Sequence, residues 1–220
     1  MRHIVKVLAP ACALVAVVAL ATPSEAAFST NETWTSNPYF GNYDTQFTDV
    51  TGDGLADAVA INDTGITVRR STGSLFSGNE AWTSGPYYGS NSTQLADVTG
   101  DGRADAIAIN DTGITVRRST GAAFAANETW ASNPYGGDRA PFGAFTDVTG
   151  DDLADAIVVN SEGITVRRSN GTTFTANETW TSDPYYGEHA PGGAFADVTG
   201  DGRADAIVVN NTGITVRRST

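Results

Sequence analysis

The chain has 220 residues, with 25 acidic and 13 basic side chains and a formal net charge of −12. Nucleic acids and anionic membrane surfaces require basic patches, so this balance argues against both as partners. The single cysteine, Cys12, cannot build a disulfide framework, so we expect a fold that needs no disulfides.

The first 26 residues are typical of a secretory signal peptide. Arg2 and Lys6 give a basic start, Val7–Ala21 is an apolar run, and a small-x-small cleavage site ends at Ala26. The apolar run is short for a membrane span. We expect residues 1–26 to be removed, which would leave residues 27–220 as a secreted, extracellular domain with no membrane insertion.

An acidic pattern, Asp-Val-Thr-Gly-Asp-Gly-x-Ala-Asp, then recurs four times. The copies start 48, 50 and 50 residues apart. A fixed period near 50 residues is typical of a repeat architecture. The copies are Asp49–Asp57, Asp97–Asp105, Asp147–Asp155 and Asp197–Asp205.

Short strands follow each acidic loop. Asp155–Val159 is apolar on both faces, as a strand buried on both sides should be. Ile66–Ser71 alternates between apolar and polar side chains, and turn residues bound both runs. With the aromatic segment and the stretch before the loop, each unit holds about four strands. The sequence therefore predicts an all-β fold, a β-propeller of four repeats with four-stranded blades.

The two ends of the repeat array predict how the propeller closes. Phe28–Trp34 matches Phe76–Trp82, the last strand of a unit, whereas Ile214–Thr220 matches the strand before it. Pairing of these N- and C-terminal strands would close the ring and remove exposed sheet edges. We expect a monomer, with the pairing of two chains into a larger ring as the alternative.

The unit resembles the FG-GAP/VCBS-type repeat of integrin-like β-propellers. The matching element is the Asp-x-Asp/Asn-x-Asp-Gly-x-x-Asp calcium loop, which here contains Asp49, Thr51, Asp53, Gly54 and Asp57. Threonine at position 3 departs from that pattern, as do four units where such propellers commonly have seven blades. The resemblance implies the fold and the cation sites, and it implies little about activity.

Three carboxylates in one tight loop would repel each other unless a cation lay between them. Calcium takes six to eight oxygen ligands, so we predict about four structural Ca²⁺ ions. The third loop has Asp152 where the others have glycine, at a position that usually needs a positive φ. We expect that site to be the weakest. The predicted ligands are Asp49, Thr51, Asp53, Leu55, Asp57, Asp97, Thr99, Asp101, Arg103, Asp105, Asp147, Thr149, Asp151, Leu153, Asp155, Asp197, Thr199, Asp201, Arg203 and Asp205.

Aromatic residues recur once per unit and have two interpretations. On loops they could stack on sugar rings and bind a multivalent glycan by avidity, or they could pack between blades. The tryptophans favour packing, and both interpretations stay open for the tyrosines. The candidate ligand-binding residues are Trp34, Tyr39, Trp82, Tyr87, Trp130, Tyr135, Trp180 and Tyr185. The next position varies among Phe40, Tyr88, Gly136 and Tyr186, which suits an exposed rim.

Paired arginines such as Arg69 and Arg70 end the alternating strand. They could form a basic ring for an anionic ligand, but strand residues on opposite faces, one solvated and one salt-bridged, are the favoured interpretation. Arg70 shares a face with Val68, so its stem should be packed.

The sequence offers little chemistry for catalysis. After residue 26 it has one histidine, His189, in a variable Gly/Pro-rich stretch, and no cysteine or lysine. We therefore expect no enzyme. The preferred function is a binding module for glycans or cell-surface proteins. The alternatives are a structural scaffold without a small ligand and, less favoured, an enzyme that acts on polysaccharides.

Overall fold

The computed structural model describes residues 28–138, 143–188 and 193–220. The expected signal peptide, residues 1–26, and His189 lie outside these ranges. Residues 33–220 form one compact unit, and the chain before Thr33 belongs to a separate unit whose described residues contain no strand.

The compact unit is built from antiparallel sheets in chain order. The first contains β1 (Asp44–Thr48), β2 (Asp57–Asn62), β3 (Gly65–Arg69) and β4 (Glu80–Ala81). The second contains β5 (Ser92–Ala96), β6 (Asp105–Asn110), β7 (Gly113–Arg117) and β8 (Glu128–Ala131). The third contains β9 (Ala144–Thr146), β10 (Asp155–Asn160), β11 (Gly163–Arg167) and β12 (Glu178–Thr181). The fourth contains β13 (Ala194–Ala196), β14 (Asp205–Asn210) and β15 (Gly213–Arg217).

These sheets are the four blades of a β-propeller, which confirms the predicted all-β fold class. No helix occurs in the described ranges, so none there is long and apolar enough to cross a membrane. The first strands of successive blades, β1, β5, β9 and β13, contact one another in turn. Each blade's acidic loop connects its first two strands, at the end of the sheet opposite the hairpin that joins its second and third strands.

Apolar burial is concentrated between the blades. Three core clusters lie at the interfaces between blades one and two, two and three, and three and four. The second strand of each of the first three blades is buried on both faces, as the apolar runs predicted. Gly113, at φ +140°, begins β7 where an added Cβ would lie 2.0 Å from the carbonyl oxygen of Ala131. A glycine there lets the fourth strand of the blade approach closely.

Closure of the ring differs from the sequence prediction. Phe28–Trp34 is not a strand, the fourth sheet has three strands, and β15 pairs with β14 alone. Among the described strands, β1 and β13 make no contact with each other. The repeat pattern specifies what each blade contains. The angle between successive blades, which decides whether the first and fourth meet, depends on packing across interfaces and is not written in any one repeat.

Candidate functional site

The first aspartate of each acidic loop accepts hydrogen bonds from the loop's own backbone. In the first blade, Asp49 Oδ1 accepts from the N–H groups of Thr51 at 3.0 Å and Gly52 at 2.6 Å, and Oδ2 accepts from Gly54 N at 2.7 Å. Burial alone would raise the pKa of Asp49, but these N–H donors hold it below its ordinary value. The same arrangement recurs at Asp97, Asp147 and Asp197.

The last aspartate of each loop is completely buried and joins two elements. Asp105 accepts from Val98 N at 3.3 Å and from Ser119 N at 2.8 Å, so it fixes the loop to the end of β7. Burial raises the pKa of Asp105 to about 6, and the nearby carboxylates of Asp101 and Asp97 add to that rise. Burial likewise raises the pKa of Asp155 to about 6.

The predicted calcium ligands occupy positions 1, 3, 5, 7 and 9 of the four acidic loops. Their carboxylate, hydroxyl and carbonyl oxygens are the donors that calcium takes, and the fifth and ninth carboxylates keep acceptor capacity beyond their N–H bonds. In the described ranges, no three acidic, histidine or cysteine side chains converge closely enough to hold a metal ion. The donor chemistry fits calcium, while the first carboxylate is committed to its own loop.

The third loop follows the expected backbone conformation. Asp152 has φ +64°, and its N–H donates to Asp147 Oδ2 at 2.8 Å, as Gly54 N does to Asp49. The prediction of a positive φ at this position is confirmed. The loop keeps its shape by holding a non-glycine residue in the left-handed region.

In the first three blades, the second arginine of the pair belongs to a repeated network with a glutamate and a tryptophan. In the second blade, Arg118 Nε donates to Glu128 Oε1 at 3.0 Å, and Trp130 Nε1 donates to Glu128 Oε2 at 3.1 Å. The guanidinium lies 5.5 Å from the centre of the Trp130 ring. The hydrogen bond from Arg118 lowers the pKa of Glu128. Equivalent networks join Arg70 to Glu80 and Trp82, and Arg168 to Glu178 and Trp180.

The first arginine of each pair stacks on a tyrosine instead of being solvated, which corrects the sequence interpretation. Arg117 lies 4.8 Å from the centre of the Tyr87 ring, and Tyr87 donates its hydroxyl hydrogen bond to Ala106 O at 3.2 Å. Burial raises the pKa of Tyr87 to about 12. The same stacking joins Arg69 to Tyr39, Arg167 to Tyr135 and Arg217 to Tyr185.

Half of the candidate ligand aromatics are thus buried in the packing between blades. Trp82 and Trp130 are 2% exposed, and Tyr87 and Tyr135 are 6% and 4% exposed. A buried ring has no face to offer a sugar. For these four residues the structure supports packing between blades, which the sequence favoured for the tryptophans and left open for the tyrosines, so they are corrected as candidate ligand-binding residues. Trp34, Tyr39, Trp180 and Tyr185 are half-buried and occupy the equivalent positions.

Exposed aromatics lie on the rim formed by the loops that precede the first strand of each blade. Phe40 is 72% exposed, and Tyr43 of blade one stacks on Tyr88 of blade two with ring centres 4.0 Å apart. This stack fills the groove between the first two blades. At the equivalent positions of the next interface, Asn91 replaces Tyr43 and Gly136 replaces Tyr88.

The groove between blades two and three is consequently open. Ser90, Asn91, Gln94 and Asp111 line its blade-two side, and Gly136 and its neighbours line the other. Gln94 Nε2 crosses the interface to donate to Gly143 O at 3.1 Å. Sequence reasoning missed this groove, although the signal was visible in the repeat alignment as the loss of two aromatic residues at one interface.

Three comparisons with known proteins bear on these observations. The sequence pattern of the FG-GAP-like repeat matches residues 49–108 and 147–208. No curated protein matches the chain. Among solved structures, an Agrocybe aegerita lectin, described as recognising non-reducing terminal N-acetylglucosamine, has a TM-score of 0.65 and 23% identity, over 80% of this chain and 49% of its own.

A second similar structure is the Tc holotoxin pore of Photorhabdus luminescens. Its TM-score is 0.58 at 22% identity, over 74% of this chain and 8% of that one. This chain therefore spans about half the length of the lectin chain and a small part of the toxin chain. At these identities the likeness concerns the fold.

Proposed function

The chain belongs to the family of FG-GAP-like repeat proteins, and from this premise we propose that it is a secreted, calcium-stabilised β-propeller that binds glycans. The observation that carries the proposal is the open polar groove between blades two and three. The three interfaces between successive blades contain equivalent cores and the same pair of hydrogen bonds, and an arginine stacks on a tyrosine in every blade. In repeats this similar, we expect the side chains to differ mainly at positions that contact a ligand and not at positions that pack between blades.

The groove has the chemistry that a sugar requires. Asn91 and Gln94 line the groove with planar amides that can both donate and accept, and the Asp111 carboxylate can accept from adjacent hydroxyl groups of a sugar. Gly136 removes a side chain from the opposite wall, which leaves room for a ring. Convergent polar groups in a concave, preformed site are the ordinary form of a small-ligand site.

We propose a structural role for calcium, because the acidic loops and the groove lie at opposite ends of the sheets. The fifth and ninth carboxylates, with the threonine at position 3 and the carbonyl at position 7, would hold the ion in each loop. When bound, it would neutralise the mutual repulsion of these carboxylates. It would touch no ligand in the groove.

Glycan titration tests the proposal, with N-acetylglucosamine-terminated saccharides first because a lectin of similar fold recognises that sugar. The variant Asp111→Asn should weaken binding about tenfold, since it removes an ionised hydrogen-bond acceptor. The matched control is Asp63→Asn, at the equivalent position beside the groove that Tyr43 and Tyr88 fill, and it should bind like the parent. No saturable binding to any glycan would favour a scaffold role.

Further parts of the proposal need separate measurements. Secretion predicts that the N-terminus of the exported protein is Ala27, which sequencing of the secreted chain would check. We also expect no catalysis, so release of reducing ends from polysaccharides by the purified protein would contradict the binding-module interpretation.

A further inference from the structure

The outer face of the fourth blade exposes apolar side chains that the other blades bury. On this face, defined here by Val198, Val209, Ile214 and Val216, Ile214 is 69% exposed and Val198 is 54% exposed. The equivalents of Ile214 in blades one and two, Ile66 and Ile114, are fully buried. An identical side chain in an identical strand is thus covered in one blade and exposed in another.

The following blade provides the cover at each internal interface. In the first cluster, Val50, Ile66 and Val68 of blade one pack with Ala104 and Phe124 of blade two. Two hydrogen bonds accompany this packing at every internal interface. Between blades one and two, Ala104 N donates to Asp49 O at 2.8 Å and Ser119 Oγ donates to Val50 O at 2.5 Å.

The same pair of hydrogen bonds recurs at the next two interfaces. Ala154 N donates to Asp97 O and Ser169 Oγ to Val98 O, and then Ala204 N donates to Asp147 O and Ser219 Oγ to Val148 O. Each interface therefore joins a carbonyl side, on the earlier blade, to a donor side, on the later blade. The outer face of the fourth blade is a carbonyl side, formed by Asp197 and Val198.

The matching donor side lies on the first blade. Its Ala56 is exposed, whereas its equivalents Ala104 and Ala154 are buried beneath the preceding blade. Ser71 is the equivalent of Ser119, and among the described residues its hydroxyl donates to no carbonyl. Phe47, 64% exposed, and Leu55 supply the apolar part of this face.

The two faces also match in shape, in addition to their hydrogen-bonding groups. A Cβ added to Gly52 would lie 2.9 Å from Arg103 of the next blade, and one added to Gly100 would lie 2.7 Å from Leu153. At Gly200 of blade four an added Cβ would meet nothing within 4 Å. The residue equivalent to Arg103 and Leu153 on blade one is Leu55, which is exposed and therefore available for that contact.

We propose that a second copy of this chain covers these faces, so that the fourth blade of each copy packs on the first blade of the other. The described strands β1 and β13 of one chain do not contact each other, so the chain does not cover its own faces. Head-to-tail packing of two copies would create two identical interfaces, and it ends further growth when the rotation between the copies closes the ring. The interface is the inter-blade interface already present three times within the chain.

Sedimentation of the purified chain tests the pairing. We expect a species of twice the single-chain mass. The variant Ile214→Asp should weaken pairing at least about 100-fold, because the contact would bury an unpaired carboxylate. Since Ile214 is exposed in the single copy, the variant should keep its fold, which circular dichroism would verify.

The matched control is Thr212→Glu, which places the same charge two residues away in the hairpin and copies Glu162 of the third blade. It should remain dimeric. The proposal is overturned if the parent is monomeric at all concentrations, if it grows into open-ended assemblies, or if Ile214→Asp pairs as well as the parent. None of these outcomes depends on glycan binding, so the groove and the pairing can fail independently.

Discussion

Replacing Asp152 with glycine should stabilise the third acidic loop. Asp152 is the non-glycine residue with positive φ in the described part of the chain, at +64°. The equivalent glycines, Gly54, Gly102 and Gly202, have φ of +83°, +78° and +86°. A Cβ added to any of the three would meet nothing within 4 Å. The surroundings are open, so backbone conformation alone separates aspartate from glycine at this position.

Two opposing terms set the size of the effect. The left-handed region costs a non-glycine residue about 1–2 kcal/mol, and less for aspartate, which tolerates it better than most. Glycine costs about 0.4–1 kcal/mol because the unfolded chain gains freedom. Asp152→Gly should therefore raise the free energy of unfolding by about 0.5 kcal/mol, or the melting temperature by about 1–2 °C for a domain of this size. The relief of backbone strain should also increase the calcium affinity of this loop.

The matched control is the reverse change, Gly102→Asp, in the second loop, which should lower stability by a similar amount. Urea unfolding with calcium and with EDTA measures both variants, and calorimetric titration measures calcium affinity. If Asp152→Gly binds calcium more weakly and unfolds more easily while Gly102→Asp does the opposite, the added carboxylate governs the loop and the argument from φ is refuted.

Two further predictions concern stability. Calcium should raise the melting temperature above that in EDTA, because each site adds roughly 2.7 kcal/mol to the free energy of unfolding at a hundredfold excess over the dissociation constant. Because the folded pKa of Asp105 and Asp155 is about 6, these carboxylates become protonated as the pH falls below 6, and the rise in melting temperature with calcium should shrink there. Equal melting temperatures with and without calcium at pH 8 would contradict the prediction that the loops bind cations. Glu128→Gln, which weakens the bonds to Arg118 at a half-exposed site, should cost about 1 kcal/mol, whereas thermal melts of Glu162→Gln, in an exposed hairpin, should match the parent.

The sequence predicted the parts of the fold that one repeat contains. The period placed the four blades, the apolar runs placed their buried second strands, and the glycine pattern placed a positive φ at Asp152. The sequence also predicted that one arginine of each pair is salt-bridged, and Arg70 forms that salt bridge with Glu80. Each of these features depends on a short segment, so local residue chemistry was enough.

Features that depend on contacts between repeats were harder to predict from the sequence. The partner of Arg69 is Tyr39, 30 positions earlier in the chain, and the residue covering Trp82 is Phe124 of the next blade. No local pattern distinguishes a tyrosine that stacks on an arginine from one that stacks on a sugar. The predicted ladder between Phe28–Trp34 and Ile214–Thr220 had a close sequence match, but Phe28–Trp34 forms no strand, and β15 pairs with β14 alone among the described strands.

The acidic loops and the proposed glycan-binding groove lie at opposite ends of the sheets. The acidic loops lie at one end of the sheets and are nearly identical in all four blades, because each must hold a buried carboxylate against the N–H groups of its own blade. The loops at the other end differ in length and in aromatic content. Substitutions there leave the inter-blade hydrogen bonds intact, so an open groove beside Asn91 and Gly136 can arise without loss of the fold.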